Sequence, residues 1–143
     1  MSTSLPAARP LLHPLHALIL AFPVAMFPAA LLSDITYLRT AEMQWSNFSS
    51  WLIVGALIFG GLALLWGAVL ALGLRRHAVG RRAALYALLL AGAWITGLVN
   101  AFQHSRDAWS SVGTVGLVLS ALGTILILAA GWVAHSSTRE IAR

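Results

Sequence analysis

Four apolar runs, each about as long as a bilayer-crossing helix, leave this chain few ways to fold. Leu15 to Tyr37, Trp51 to Leu74, Ala83 to Phe102 and Val112 to Ala134 span 20 to 24 residues each, and a helix needs about 20 mostly apolar residues to cross the hydrocarbon core. Charge or turn residues bound them: the second stops at Arg75-Arg76, the third lies between Arg81-Arg82 and Gln103-His104-Ser105-Arg106, and the fourth between Ser110-Ser111 and His135-Ser136-Ser137. A membrane β-barrel would need alternating segments of about ten residues, whereas these runs are apolar on every face. The chain is therefore expected to be an all-α integral membrane protein, with four transmembrane helices in an antiparallel bundle. Residues 1–14 and 135–143 flank it as short segments.

Composition closes the alternatives. Only 9% of the 143 residues are charged and 59% are hydrophobic, against about 25% charged in soluble domains, so a water-facing surface cannot be covered. The length suits one domain and leaves no room for separate cofactor and substrate domains. Absence of cysteine removes disulfides, thiolate metal sites and covalently attached c-type haem. The formal charge of +5 does not point to nucleic acid, because a binding surface needs basic residues gathered on one folded face, and here they occupy gaps between apolar runs.

Those gaps orient the chain. Arg9, Arg75, Arg76, Arg81, Arg82, Arg139 and Arg143 fall on one side of a four-span topology, and Arg39 and Arg106 on the other, together with Asp34, Glu42 and Asp107. Positive residues flanking spans stay cytoplasmic, which predicts N-in and C-in in a bacterial inner membrane. The first run is too long for a signal peptide and carries Pro23 and Pro28, so it reads as a retained, bent anchor.

Helices in lipid associate through close approach at small residues. Such residues recur at spacings of four in Ala56/Gly60, Ala63/Gly67/Ala71, Ala83/Ala87/Ala91, Ala93/Gly97/Ala101 and Gly116/Ser120/Thr124, which suits packing within the bundle; a homo-oligomer interface is the alternative. Trp45, Trp51, Trp109 and Trp132 lie near span ends, where indoles anchor at headgroups, while Trp66 and Trp94 lie mid-span and fill volume.

Ionisable groups inside spans are costly and each invites a functional hypothesis. His13, His16, His77 and His135 lie toward the cytoplasmic side. His16 and His135 sit at comparable depth, so a b-type haem held by them, or by His13, is one reading; interfacial caps are the simpler one. A zinc site from His13, His16 and His135 lacks a carboxylate other than Glu140, so no metal is expected. Toward the outer side, Asn100 and His104 share a helix face at a spacing of four, and Asp34, Tyr37, Arg39, Arg106 and Asp107 lie nearby. A carboxylate beside an imidazole there could relay protons, or Asp34, Asn100, His104 and Asp107 could pin the outer end of the bundle. GxSxG, HExxH and P-loop patterns are absent, so no enzyme is expected. Transporters usually place broken helices or polar groups at the midplane, and spans two and four have none beyond Ser and Thr.

The stretch His13-Pro14-Leu15-His16, then Phe22-Pro23-Val24 and Asp34, resembles the bacterial membrane family called domain of unknown function 2231. The likeness continues through Asp34-Ile35-Thr36-Tyr37-Leu38, Trp45, Trp51-Leu52-Ile53-Val54 and Gly60-Gly61, and returns at Leu119-Ser120, Leu122-Gly123 and Gly131-Trp132. Ala17, Ala21, Ala71 and Tyr86 stand where members often carry Pro, His, Asp and His, which removes most polar groups that would hold a cofactor. Fusion of some members to Rieske or cytochrome-like domains implies a redox setting. Together these features favour a non-catalytic membrane subunit or anchor within a larger assembly, plausibly a respiratory or photosynthetic redox complex, in contact with lipid and other membrane subunits and without a cofactor of its own. The rivals are the haem b electron carrier and a small homo-oligomeric transporter or channel.

Overall fold

A computed structural model describes residues 12–106 and 112–136 of the chain. Its elements are α1 (Pro14–Thr40), α2 (Met43–Leu74), α3 (Gly80–His104) and α4 (Thr114–His135), and among the described residues there is no strand. All four are long and apolar enough to cross a membrane. At about 1.5 Å per residue, even the 22 residues of α4 reach about 33 Å. The helices form a square in which α1 touches α2 and α4, and α3 touches α2 and α4. The pairs α1/α3 and α2/α4 lie across its diagonals.

A single periodicity explains which residues turn inward. The main series of buried positions is His16, Leu20, Pro23, Phe27, Ala30 and Asp34 on α1, and Ser46, Ser49, Ile53, Ala56, Gly60, Ala63 and Gly67 on α2. On α3 they are Ala83, Tyr86, Leu90, Ala93, Gly97, Asn100 and His104, and on α4 Gly116, Ser120, Gly123, Ile127, Ala130 and Ala134. Every step in these four series is three or four residues in alternation, the 3.5-residue seam of left-handed bundles; the remaining buried helix positions, Ser33, Gly80, Thr96 and Thr124, lie outside the series. The small-residue stripes thus lie inside the bundle at Ala56/Gly60, Ala63/Gly67, Ala93/Gly97 and Gly116/Ser120, as packing within one chain requires. Ala71 and Ala101 lie off this seam and are half-buried.

Local chemistry sets the helix ends. His13 caps α1, its Nδ1 accepting the Leu15 N–H at 3.3 Å, and Pro14 takes the first helical position, where its missing N–H costs nothing. The helical assignment runs unbroken through Pro23 and Pro28. Ala41 then turns the chain in the left-handed region at φ 58°, its N–H on the Tyr37 carbonyl at 2.8 Å. Only two residues separate α1 from α2, which begins at Met43, eight residues ahead of the apolar run, because Ser46 and Ser49 continue its inward seam. Between α2 and α3, a Cβ on Gly80 would collide with the Leu74 carbonyl, so the tight connection requires glycine there. Arg82 ties α3 to the end of α4, donating to the Val133 carbonyl from Nε at 3.0 Å and Nη2 at 2.6 Å, and to Ser136 Oγ at 3.1 Å.

Candidate functional site

Polar side chains inside the bundle collect in two clusters near its ends. At the end away from Arg75, Arg76, Arg81 and Arg82, every helix contributes. Asp34 comes from α1, Ser49 from α2, Asn100 and His104 from α3, and Ser120 from α4, and all five are buried. His104 Nε2 lies 2.9 Å from Asp34 Oδ1 and 3.4 Å from Ser49 Oγ. Ser49 donates to the Ala30 carbonyl at 3.3 Å, Ser120 donates to Asp34 Oδ2, and Asn100 Nδ2 donates to Ser120 Oγ at 2.7 Å. Both carboxylate oxygens therefore have a partner.

The hydrogen bonds fix the proton count. His104 Nδ1 lies 3.0 Å from the Asn100 carbonyl, which can only accept, so Nδ1 carries a proton. The pair is then either imidazolium with carboxylate or neutral imidazole with carboxylic acid. Both forms hold the same number of protons and no net charge, and neutrality is what a low-dielectric interior demands. Asn100 Oδ1 and Thr124 Oγ1 are buried without a partner, leaving unused hydrogen-bonding capacity beside this cluster.

At the arginine-rich end, the Tyr86 hydroxyl and His16 Nε2 are 3.0 Å apart, and neither residue has any exposed surface. Tyr86 reaches no other acceptor, so its O–H donates to Nε2 and the neutral ring carries its own proton on Nδ1. That Nδ1 forms no hydrogen bond. Trp66 stacks on His16 with ring centroids 5.1 Å apart and planes inclined 24°, and His13 stacks against the same indole at 6.0 Å. Gly67 makes the pocket, since a Cβ there would lie 3.1 Å from Tyr86 Cε1.

Between the clusters the buried side chains are apolar apart from Thr96 and Thr124. Phe27 from α1 crosses the diagonal into a notch made by two glycines, where added Cβ atoms would lie 2.8 Å from its ring on Gly97 and 3.1 Å on Gly123. Leu20, Ile53, Leu90 and Ile127 fill the adjoining layers, each at most 2% exposed. His16 with Tyr86, Phe27 with Gly97, and Asp34 with His104 thus all meet along the α1/α3 diagonal, where the backbones are too far apart to touch.

Of the residues singled out by sequence, Asp34, Asn100 and His104 come together, whereas Asp107 lies outside the described residues. His16 points into the bundle with Nε2 taken by Tyr86. His135 is exposed at the end of α4, its Nδ1 on the Gly131 carbonyl at 2.8 Å, and His13 is exposed in its capping role; no contact joins His16 to His135. Among the described residues no three of His, Cys, Asp and Glu gather as a metal site would require. Sequence reasoning missed Ser49, Ser120, Tyr86 and Trp66 as partners. The alternation of three and four residues would have found the first three; Trp66 lies off the seam. Trp94, read as volume-filling, also donates its indole N–H to the Leu57 carbonyl at 3.0 Å.

Comparison with known proteins places these features in a family. The family described as predicted membrane protein (DUF2231) matches residues 12–138. No curated protein matches the chain, and no solved structure does.

Proposed function

That the chain belongs to this DUF2231 family of predicted membrane proteins is the premise from which we propose its role: a non-catalytic integral subunit that works by packing against other membrane proteins in a redox assembly. The observation that carries this reading is the closed interior. The clusters around Asp34/His104 and His16/Tyr86 are separated by the Phe27 plug and its leucine and isoleucine layers, so one copy offers no polar path along its axis. What it presents to its surroundings is an apolar exterior, with residues such as Leu65, Leu88, Trp51 and Trp132 more than two-thirds exposed. Patches of this extent suit lipid and protein neighbours.

The arginine distribution supports an inner-membrane topology with both termini cytoplasmic, since Arg75, Arg76 and Arg81 are exposed at the end where the α2–α3 connection lies. Purification from native membranes in a mild detergent tests the role. A complex of fixed stoichiometry with other membrane subunits is expected, and a lone monomer would overturn it. A Soret band lost in His16→Ala would instead establish the haem reading.

A further inference from the structure

We propose that Tyr86 and His16 form a one-electron redox site, in which Tyr86 gives its electron outward through Trp66 and its proton to His16, and whose oxidant is a lipid peroxyl radical in the bilayer. The geometry supplies each part. Oxidation of a phenol releases a strongly acidic proton, so a buried tyrosine needs a base already in hydrogen-bond contact. His16 Nε2 is that base, 3.0 Å from the hydroxyl and unprotonated because the Tyr86 O–H has no other acceptor. Once protonated, His16 is a buried cation, a form that is costly in a low-dielectric interior and that its aromatic neighbour offsets in part. The indole of Trp66 stacks on it with ring centroids 5.1 Å apart and planes inclined 24°, within reach of a cation–π attraction.

Trp66 also provides the exit. It is half-buried, stacked inward on His16, and lines a shallow exterior groove with Leu62, Leu65 and Val69 at acyl-chain depth. In the first step the peroxyl radical takes one electron from Trp66, giving a peroxide anion and an indole radical cation. Next, the Tyr86 O–H bond breaks: its electron refills Trp66 and its proton forms the N–H bond on His16 Nε2. The peroxide anion takes a proton from interfacial water to become the hydroperoxide, leaving hydroxide in the aqueous phase. The net change is one peroxyl radical and one water converted to hydroperoxide and hydroxide, Tyr86 oxidised to the neutral phenoxyl radical, and His16 converted to imidazolium.

The test uses the full chain in dilinoleoyl-phosphatidylcholine liposomes, with peroxyl radicals generated by a lipid-soluble azo initiator and freeze-quenched samples read by electron paramagnetic resonance. The chain has two tyrosines, so the assignment is direct: a tyrosyl signal is expected in the wild type and in Tyr37→Phe and none in Tyr86→Phe. His16→Gln should slow its formation by about ten-fold, equivalent to about 1.4 kcal/mol in the barrier, with helical circular dichroism unchanged. A signal that survives Tyr86→Phe, no signal in the wild type, or an unchanged rate in His16→Gln would each overturn the proposal. Should His16→Gln fail to fold, the wild-type rate in D2O decides: slower formation supports the proton step, and an equal rate overturns it.

Discussion

Asp34 on α1 and His104, the last residue of α3, meet at 2.9 Å across the bundle diagonal, with both side chains removed from solvent. Seventy residues of chain separate them, and each is held from a different side. Ser120 donates to the carboxylate, while the Asn100 carbonyl and Ser49 flank the imidazole. A pair so enclosed contributes less through its own attraction than it costs when half of it is removed, because the survivor is left as an uncompensated buried group.

Asp34→Leu and His104→Leu should therefore each destabilise the bundle by about 3 kcal/mol, while the double variant recovers most of that loss. Equilibrium unfolding of the four proteins in mixed micelles closes the cycle. Additive single effects would show that the two residues act independently.

Phe27 should be the most sensitive apolar position on α1. Phe27→Ala removes a ring that α3 and α4 close around at Gly97 and Gly123 and is expected to cost about 3–5 kcal/mol. Gly97→Ala and Gly123→Ala push a Cβ into the same ring from two sides, at about 1–3 kcal/mol each. Combining Gly97→Ala with Phe27→Leu should recover part of the loss, a result that unfolding in mixed micelles can read directly.

Ala41 pays for its left-handed conformation in backbone strain. Glycine adopts φ 58° without a Cβ clash, and although it carries more unfolded-state entropy, Ala41→Gly should stabilise by about 0.5 kcal/mol. A raised thermal midpoint with unchanged helical content is the expected observation. Ala41→Val should move the midpoint the other way.

Gly80 admits no side chain, since its neighbour is the rigid backbone of Leu74 and Arg75. Gly80→Ala should open the α2–α3 connection and destabilise by about 1–3 kcal/mol. Faster proteolysis after Arg76 or Arg81 would register the opening, compared with Gly73→Ala, where nothing lies within 4 Å of the added carbon.

The sequence by itself determined the class of fold and the number of spans. Twenty-residue apolar runs have one stable form in a bilayer, because every backbone N–H and C=O must be satisfied within the segment. It also marked Asp34, Asn100 and His104 as one group, since helical spacing and depth along a span depend only on position in the chain. Tertiary structure decided which residue each of them faces. Lipid-facing and core-facing positions are equally apolar, so hydropathy carries no signal for the inward face; the alternation of three and four residues emerges only once small, polar and aromatic residues are seen to share one seam. Ser49 lay outside the apolar run, Trp66 read as bulk, and Tyr86 stood out only as a replacement for a histidine of the family. They became partners of His104 and His16 because antiparallel packing sets each of these residues at a common depth with the histidine it meets, and burial away from water left those polar atoms few other groups to bond.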